Sequence, residues 1–218
     1  MPTAITIPIS IFELAIAYDK PAIRLLADRV GPLQALFDAL APWNPTLDDM
    51  EVVTTGKPSE QGVKLKVPAQ SASFFFGASG CRFTRDAANW SDADNINKLL
   101  GTALNALEES TGVTLGKRLT TLSLHLQPKT VSYKDILRNF VAPSILRLEG
   151  APSEAMAIVT RWPGRRITID GSAALANAIF LQTEREFDAA ATFDDMKHAI
   201  LNDELELFRI LDVEEVDA

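Results

Sequence analysis

The chain states one plan of secondary structure twice within 218 residues. In residues 5–111 a strand-like run leads to a short helix, then to several short strands, then to a capped amphipathic helix. Residues 115–211 give the same order again. A helix with one apolar stripe and a sheet with one apolar face must each bury that side against another layer. Two such units meet the requirement together by fusing their strands and stacking their helices on one face. The sequence therefore predicts an α+β fold with one curved antiparallel sheet. A first β-α-β4-α unit spans 1–112, a second β-α-β3-α unit spans 113–211, and an acidic tail over 212–218 ends one continuous domain.

In the first unit Ile5, Ile7, Ile9 and Ile11 recur at period two and predict one strand face. Pro8 cannot donate to a ladder, which points to an edge or a bulge. Pro21 opens a stretch where Ile23, Leu26, Val30, Leu33, Phe37 and Leu40 form an apolar stripe, and Gly31-Pro32 divides it into two short helices or a kinked one. Strands are expected at Glu51–Thr55, Val63–Val67, Ser73–Phe76 and Cys81–Thr84. Ser91 and Asp94 then resemble a capping box before Ile96, Leu99, Leu100, Ala103, Leu104 and Leu107, and Gly112 closes that helix.

The second unit begins with Leu122, Leu124 and Leu126 alternating with polar residues. Ser132 and Asp135 start a short helix bearing Ile136, Leu137, Phe140 and Val141. Strands follow at Ala155–Trp162, Arg166–Asp170 and about Ala176–Phe187, the first two joined at Pro163-Gly164. Thr192 and Asp195 open a last helix with Met196, Ile200, Leu201, Leu205, Phe208 and Leu211 along one face. The order of elements in each half is similar to the half-repeat of the TATA-binding-protein saddle. The likeness is one of topology, no motif accompanies it, and a shared fold does not carry function across.

Composition narrows the function classes. No apolar run reaches the roughly 18–20 residues that span a bilayer, and the interrupted run from Ile5 to Tyr18 has no basic leader, so no membrane partner is expected. A net charge of −8 argues against nucleic acid, whose phosphates supply most of the binding free energy. It favours a protein partner that is basic. The charge is uneven: residues 115–170 hold nine bases and four acids, and residues 171–218 hold three bases and twelve acids. The single cysteine, Cys81, lies in a strand pattern and reads as a buried, inert thiol suited to a reducing cytoplasm.

The sharpest local feature is Arg161-Trp162-Pro163-Gly164-Arg165-Arg166. A turn displaying Trp162 with Arg161, Arg165 and Arg166 carries the residue types that anchor interfaces. His125, flanked at period two by Ser123 and Gln127, would sit on a polar strand face, and Glu184 and Glu186 share another. These three would be the polar groups of a pocket, and convergence of His125, Arg161, Glu184 and Glu186 in a cleft would mark an enzyme. Phe74-Phe75-Phe76 places aromatics on both faces of its strand, so a ligand or partner is expected over one of them. No phosphate loop, nucleophile elbow or metal-ligand spacing is present, and no cofactor or metal is expected. The sequence thus points to a non-enzymatic cytoplasmic interaction protein of the inhibitor, immunity or adaptor kind, acting through the open sheet face or the basic hairpin tip. The alternative is a small-molecule-binding module or an enzyme with a pocket between sheet and helices. Homo-oligomers could form through residues 115–127 or an edge strand.

Overall fold

The computed structural model describes residues 2–28, 30–54, 56–57, 60–88, 90–140 and 157–216. Its first elements are β1 (Thr3–Tyr18), α1 (Ile23–Ala27), α2 (Val30–Ala39), β2 (Met50–Val53), β3 (Gly62–Val67), β4 (Ala72–Gly77), β5 (Gly80–Asp86) and α3 (Ala93–Thr111). These are followed by β6 (Leu115–Pro128), α4 (Tyr133–Arg138), β7 (Ile158–Trp162), β8 (Arg165–Gly171), β9 (Ile179–Phe187), α5 (Phe193–Leu211) and β10 (Val213–Glu215). The fold is mixed α+β around one large, unclosed antiparallel sheet, ordered β2-β3-β4-β5-β1-β6-β9-β8-β7, with β10 added in parallel to the start of β1. The expected helical position Val141, the strand start at Ala155 and Met156, and Thr55 lie outside the described residues.

Two compact units divide the chain. One holds Ile11–Thr120 with Glu186–Phe193, and the other holds Met1–Ser10, Thr121–Arg185 and Asp194–Ala218. β1, β6 and β9 therefore each give residues to both units.

In the β2–β5 unit, cross-strand pairing puts Phe12, Leu14, Ile16, Val63, Leu65, Phe74, Phe76 and Phe83 on one buried face. Helix α3 turns Ile96, Leu99, Leu100, Ala103 and Leu107 inward, and ends on Gly112 in the left-handed region at φ 72°, where the amide caps the Glu108 carbonyl. Burial of this cluster is the main stabilising term of the unit. The expected apolar stripe of α1 and α2 needs correction. The buried residues around α1 and α2 are Ala22, Leu25, Pro32, Leu36 and Leu40, while Ile23 and Val30 are 68% and 76% exposed. The chain leaves the helical region at Asp28 (φ −129°, ψ 95°), which resets the phase of the stripe. Pro32 then lies in the first turn of α2, where a missing N–H costs nothing.

β1 also departs from its predicted face. The buried side is Ile5 at the start but Phe12, Leu14, Ile16 and Tyr18 later, a change from odd to even positions. Such a change of parity requires one extra residue, as at a bulge. Pro8 falls between the stretches paired with β10 (Thr3–Ile5) and β5 (Ile11–Ala17), so its missing N–H breaks neither of those ladders. β1 is central in the sheet, not an edge.

In the β7–β9 unit the buried face carries Leu122, Leu124, Leu126, Ile167, Ile169, Ile179 and Leu181. α5 covers it with Met196, Ile200, Leu207 and Leu211, and Asp203 takes the intervening place at 2% exposure. Leu205, assigned to this stripe from sequence, is exposed instead. Asp203 is tolerated because the Arg185 guanidinium reaches both its oxygens at 2.7 and 3.1 Å and Arg165 adds a contact at 3.0 Å. Burial pushes the Asp203 carboxyl above its ordinary range, and the Arg185 and Arg165 charges pull against that shift. The acidic tail is also corrected: Val213–Glu215 form β10, Val213 is buried, and the Val216 amide donates to the Ile5 carbonyl.

Candidate functional site

The face of the β2–β5 unit opposite its core carries a cavity of about 540 Å³. Its placement follows from register. Lys64 pairs with Phe75, Phe75 with Arg82, and Arg82 with Ala15, so these side chains stand in one row across β3, β4, β5 and β1. In the next row Gly62 pairs with Gly77, and Gly80 with Ala17. The second row is therefore almost bare of side chains. Close backbone approach makes this necessary at Gly80, where an added Cβ would lie 2.5 Å from the Ile16 carbonyl oxygen. Ala15, Ala17 and Gly80 make the floor of the cavity, Phe75 and Leu119 give it apolar walls, and Arg82, Lys117 and Glu186 bring charge to it. Cys81 and Arg118 also line it.

Arg82 and Lys117 are exposed, and neither makes an ion pair among the described residues. Arg118 behaves differently. Its Nη1 donates to the Ala191 carbonyl, and its Nε–H is buried without a partner among the described residues. Cys81 is buried beside Tyr18, and burial pushes its thiol up to about 12 and the Tyr18 hydroxyl higher still. Cys81 is therefore a neutral thiol at physiological pH, not a nucleophile.

The basic hairpin does not present its residues together. Arg161 pairs with Arg166 and Trp162 with Arg165 across the two-residue Pro163-Gly164 turn, so the pairs point to opposite faces. Arg165 faces α5, where it binds Asp203 and Glu206, and its guanidinium lies 5.3 Å from the centre of the half-exposed Trp162 ring. Arg166 on the other face contacts Glu184 at 3.4 Å. Arg161 is exposed.

The polar strand face around His125 holds its groups in hydrogen bonds and a ring contact. His125 Nδ1 lies 2.7 Å from Ser172 Oγ, and its ring lies 5.2 Å from that of Phe180. Ser172 Oγ accepts from the amides of Ala174 and Leu175, so its one proton goes to Nδ1 and the neutral imidazole keeps its proton on Nε2. Burial lowers the pKa of His125, in keeping with that neutral form. A serine whose lone pairs already hold two amides is poorly placed to attack a substrate. Gln182 donates to Ser123 on the same face. His125 is thus held by Ser172, Glu184 by Arg166, and Glu186 by neither, since it borders the cavity.

Among the described residues no three His, Cys, Asp or Glu side chains gather closely enough to hold a metal ion. No described helix is long and apolar enough to cross a membrane. Sequence reasoning named Glu186 and expected cover over Phe75, but passed over Ala15, Ala17, Arg82 and Lys117. Alternation alone could have put Ala15 and Ala17 opposite Leu14 and Ile16, but which strands flank them depends on the sheet order. β6 lies between β1 and β9, so residues 115–127 offer no free edge for pairing with a second copy. The chain matches no protein-family model and no curated protein, so function must be argued from this chemistry.

Proposed function

We propose that this protein is a non-enzymatic binding module that captures a partner on the open sheet face of its β2–β5 unit, with the cavity as the anchoring point. The observation that carries this reading is the cavity itself: a floor of Ala15, Ala17 and Gly80 beside Phe75, with two exposed cations, Arg82 and Lys117, that form no ion pair among the described residues. Unpaired charge beside apolar surface is stabilised when a complementary group covers it. The chain's −8 charge steers basic partners at long range, while the cavity's own charge selects an anionic group at the point of contact. A cytoplasmic inhibitor, immunity-type protein or adaptor fits this mode of action, and the buried neutral Cys81 suits a reducing compartment. The two halves are read as one duplicated plan. Outward from the β1–β6 centre the strands run β5-β4-β3-β2 on one side and β9-β8-β7 on the other, an order in which each half runs outward against chain order and which supports the duplication.

A second reading, a small-molecule-binding module, draws on the volume, which falls in the range of about 300–1,000 Å³ typical of ligand sites. The deciding experiment is capture from native extract with tagged wild type, Ala17→Trp and Arg161→Glu/Arg166→Glu, each checked for native circular dichroism. The expected result is a stoichiometric partner or small molecule lost in Ala17→Trp and kept in the hairpin variant. Retention by Ala17→Trp with loss in the hairpin variant would move the site to the hairpin and overturn this reading.

A further inference from the structure

We infer that the cavity takes an anion with an apolar body, a carboxylate or a phosphate monoester carrying an alkyl or aryl group; this rests on the cavity being the binding site. Arg82 stands on β5 and Lys117 on β6, on either side of central β1. Both border the cavity, and side chains of their length can reach over its Ala15–Ala17 floor. A guanidinium offers a planar fork to two oxygens and an ammonium offers a point charge, a pair suited to carboxylate or phosphate. The body of the ligand would lie on the two alanines between Phe75 and Leu119, an apolar stretch of the lining.

Charge complementarity sets the sign of the occupant. The lining holds Arg82, Lys117 and Arg118 against one acid, Glu186, in a chain with eight more acids than bases. Arg118 already donates to the Ala191 carbonyl, so the two exposed cations carry the selectivity. A nucleic acid would need a track of phosphate contacts, and two cations over one cavity do not supply one.

The test titrates the full chain with decanoate, decyl phosphate, decanol and decyltrimethylammonium below their micellar concentrations, read by amide chemical shifts and calorimetry. Decanoate, decyl phosphate or both should saturate one site, shift Ala15, Ala17 and Gly80, and bind at least about tenfold tighter than decanol. The ratio of the two anions identifies the preferred headgroup. Arg82→Glu/Lys117→Glu should lose that preference and gain affinity for the ammonium, and Ala17→Trp should abolish binding. Decanol or the ammonium matching both anions would overturn the anion inference while leaving the cavity as a binding site. Failure of every probe to shift Ala15, Ala17 and Gly80 would overturn the inference. Joined to unaltered capture by Ala17→Trp, that failure would overturn the binding-site reading as well.

Discussion

Replacing Asp203 by alanine tests the physical reading of the β7–β9 unit most directly. The carboxylate is almost fully buried, accepts two bonds from Arg185 at 2.7 and 3.1 Å, and meets Arg165 at 3.0 Å. Removing one partner of a buried ion pair costs about 3–5 kcal/mol, because the remaining charge is left without compensation. Here the arginine side chains are 19% and 31% exposed, and Arg165 keeps Glu206 at 2.9 Å. Part of the cost is recovered by hydration, which leaves about 2–4 kcal/mol. For a chain of this length that corresponds to a fall in melting temperature of roughly 4–16 °C. Thermal unfolding followed by circular dichroism gives the number, with Glu206→Ala as the comparison. Glu206 is 45% exposed, and loss of its contact with Arg165 should cost less than about 1 kcal/mol. Exchanging the cluster for Arg165→Met, Arg185→Met and Asp203→Leu together should restore most of the stability, since an apolar set avoids the desolvation of three charges. A melting temperature that falls equally in Asp203→Ala and Glu206→Ala would show that the buried carboxylate is not what holds α5 to β8 and β9.

Three further outcomes are expected. His125 is held neutral in the fold, so its folded pKa lies below its ordinary value of 6.5; its contribution to stability is complete above about pH 6.5 and is lost as pH falls below that value and through the lower folded pKa. Melting temperature should therefore decline between pH 7 and 5.5 in wild type and less so in His125→Gln; equal slopes would refute the assignment. Cys81, with its thiol pushed up to about 12, should react with Ellman's reagent only on unfolding, and stoichiometric labelling of native protein at pH 8 would contradict its burial. Gly80→Ala would force a Cβ to within 2.5 Å of the Ile16 carbonyl oxygen, where backbone must move. It should destabilise by about 1–3 kcal/mol in chemical denaturation, and a neutral result would mean that β1 and β5 do not approach so closely.

Local periodicity determined much of this fold from sequence alone. Val63, Leu65 and Val67 alternate with lysines, Leu122, Leu124 and Leu126 alternate with polar residues, and Ile96 to Leu107 recur at helical spacing. Each pattern depends only on which way neighbouring side chains point within one element, and each matches the buried face observed. Gly112 stopped its helix for an equally local reason, the left-handed backbone of a C-cap. The opposite faces of Arg165 and Arg166 were also implicit in strand alternation, although their sequence proximity suggested one cluster.

Other features depended on partners distant in the chain. The parity change in β1 shows only against its neighbouring strands. Asp203 interrupts an apolar stripe because Arg165 and Arg185 meet it from the sheet, and β10 forms from an acidic segment because β1 supplies its backbone partners. The cavity belongs to the same class. Ala15, Ala17, Phe75, Gly80, Arg82 and Leu119 are unremarkable within their own strands and come to line one cavity through sheet order and register. Sequence by itself fixes periodicity, which is a short-range property of the backbone; the strand beside which each face comes to lie is decided only by tertiary pairing.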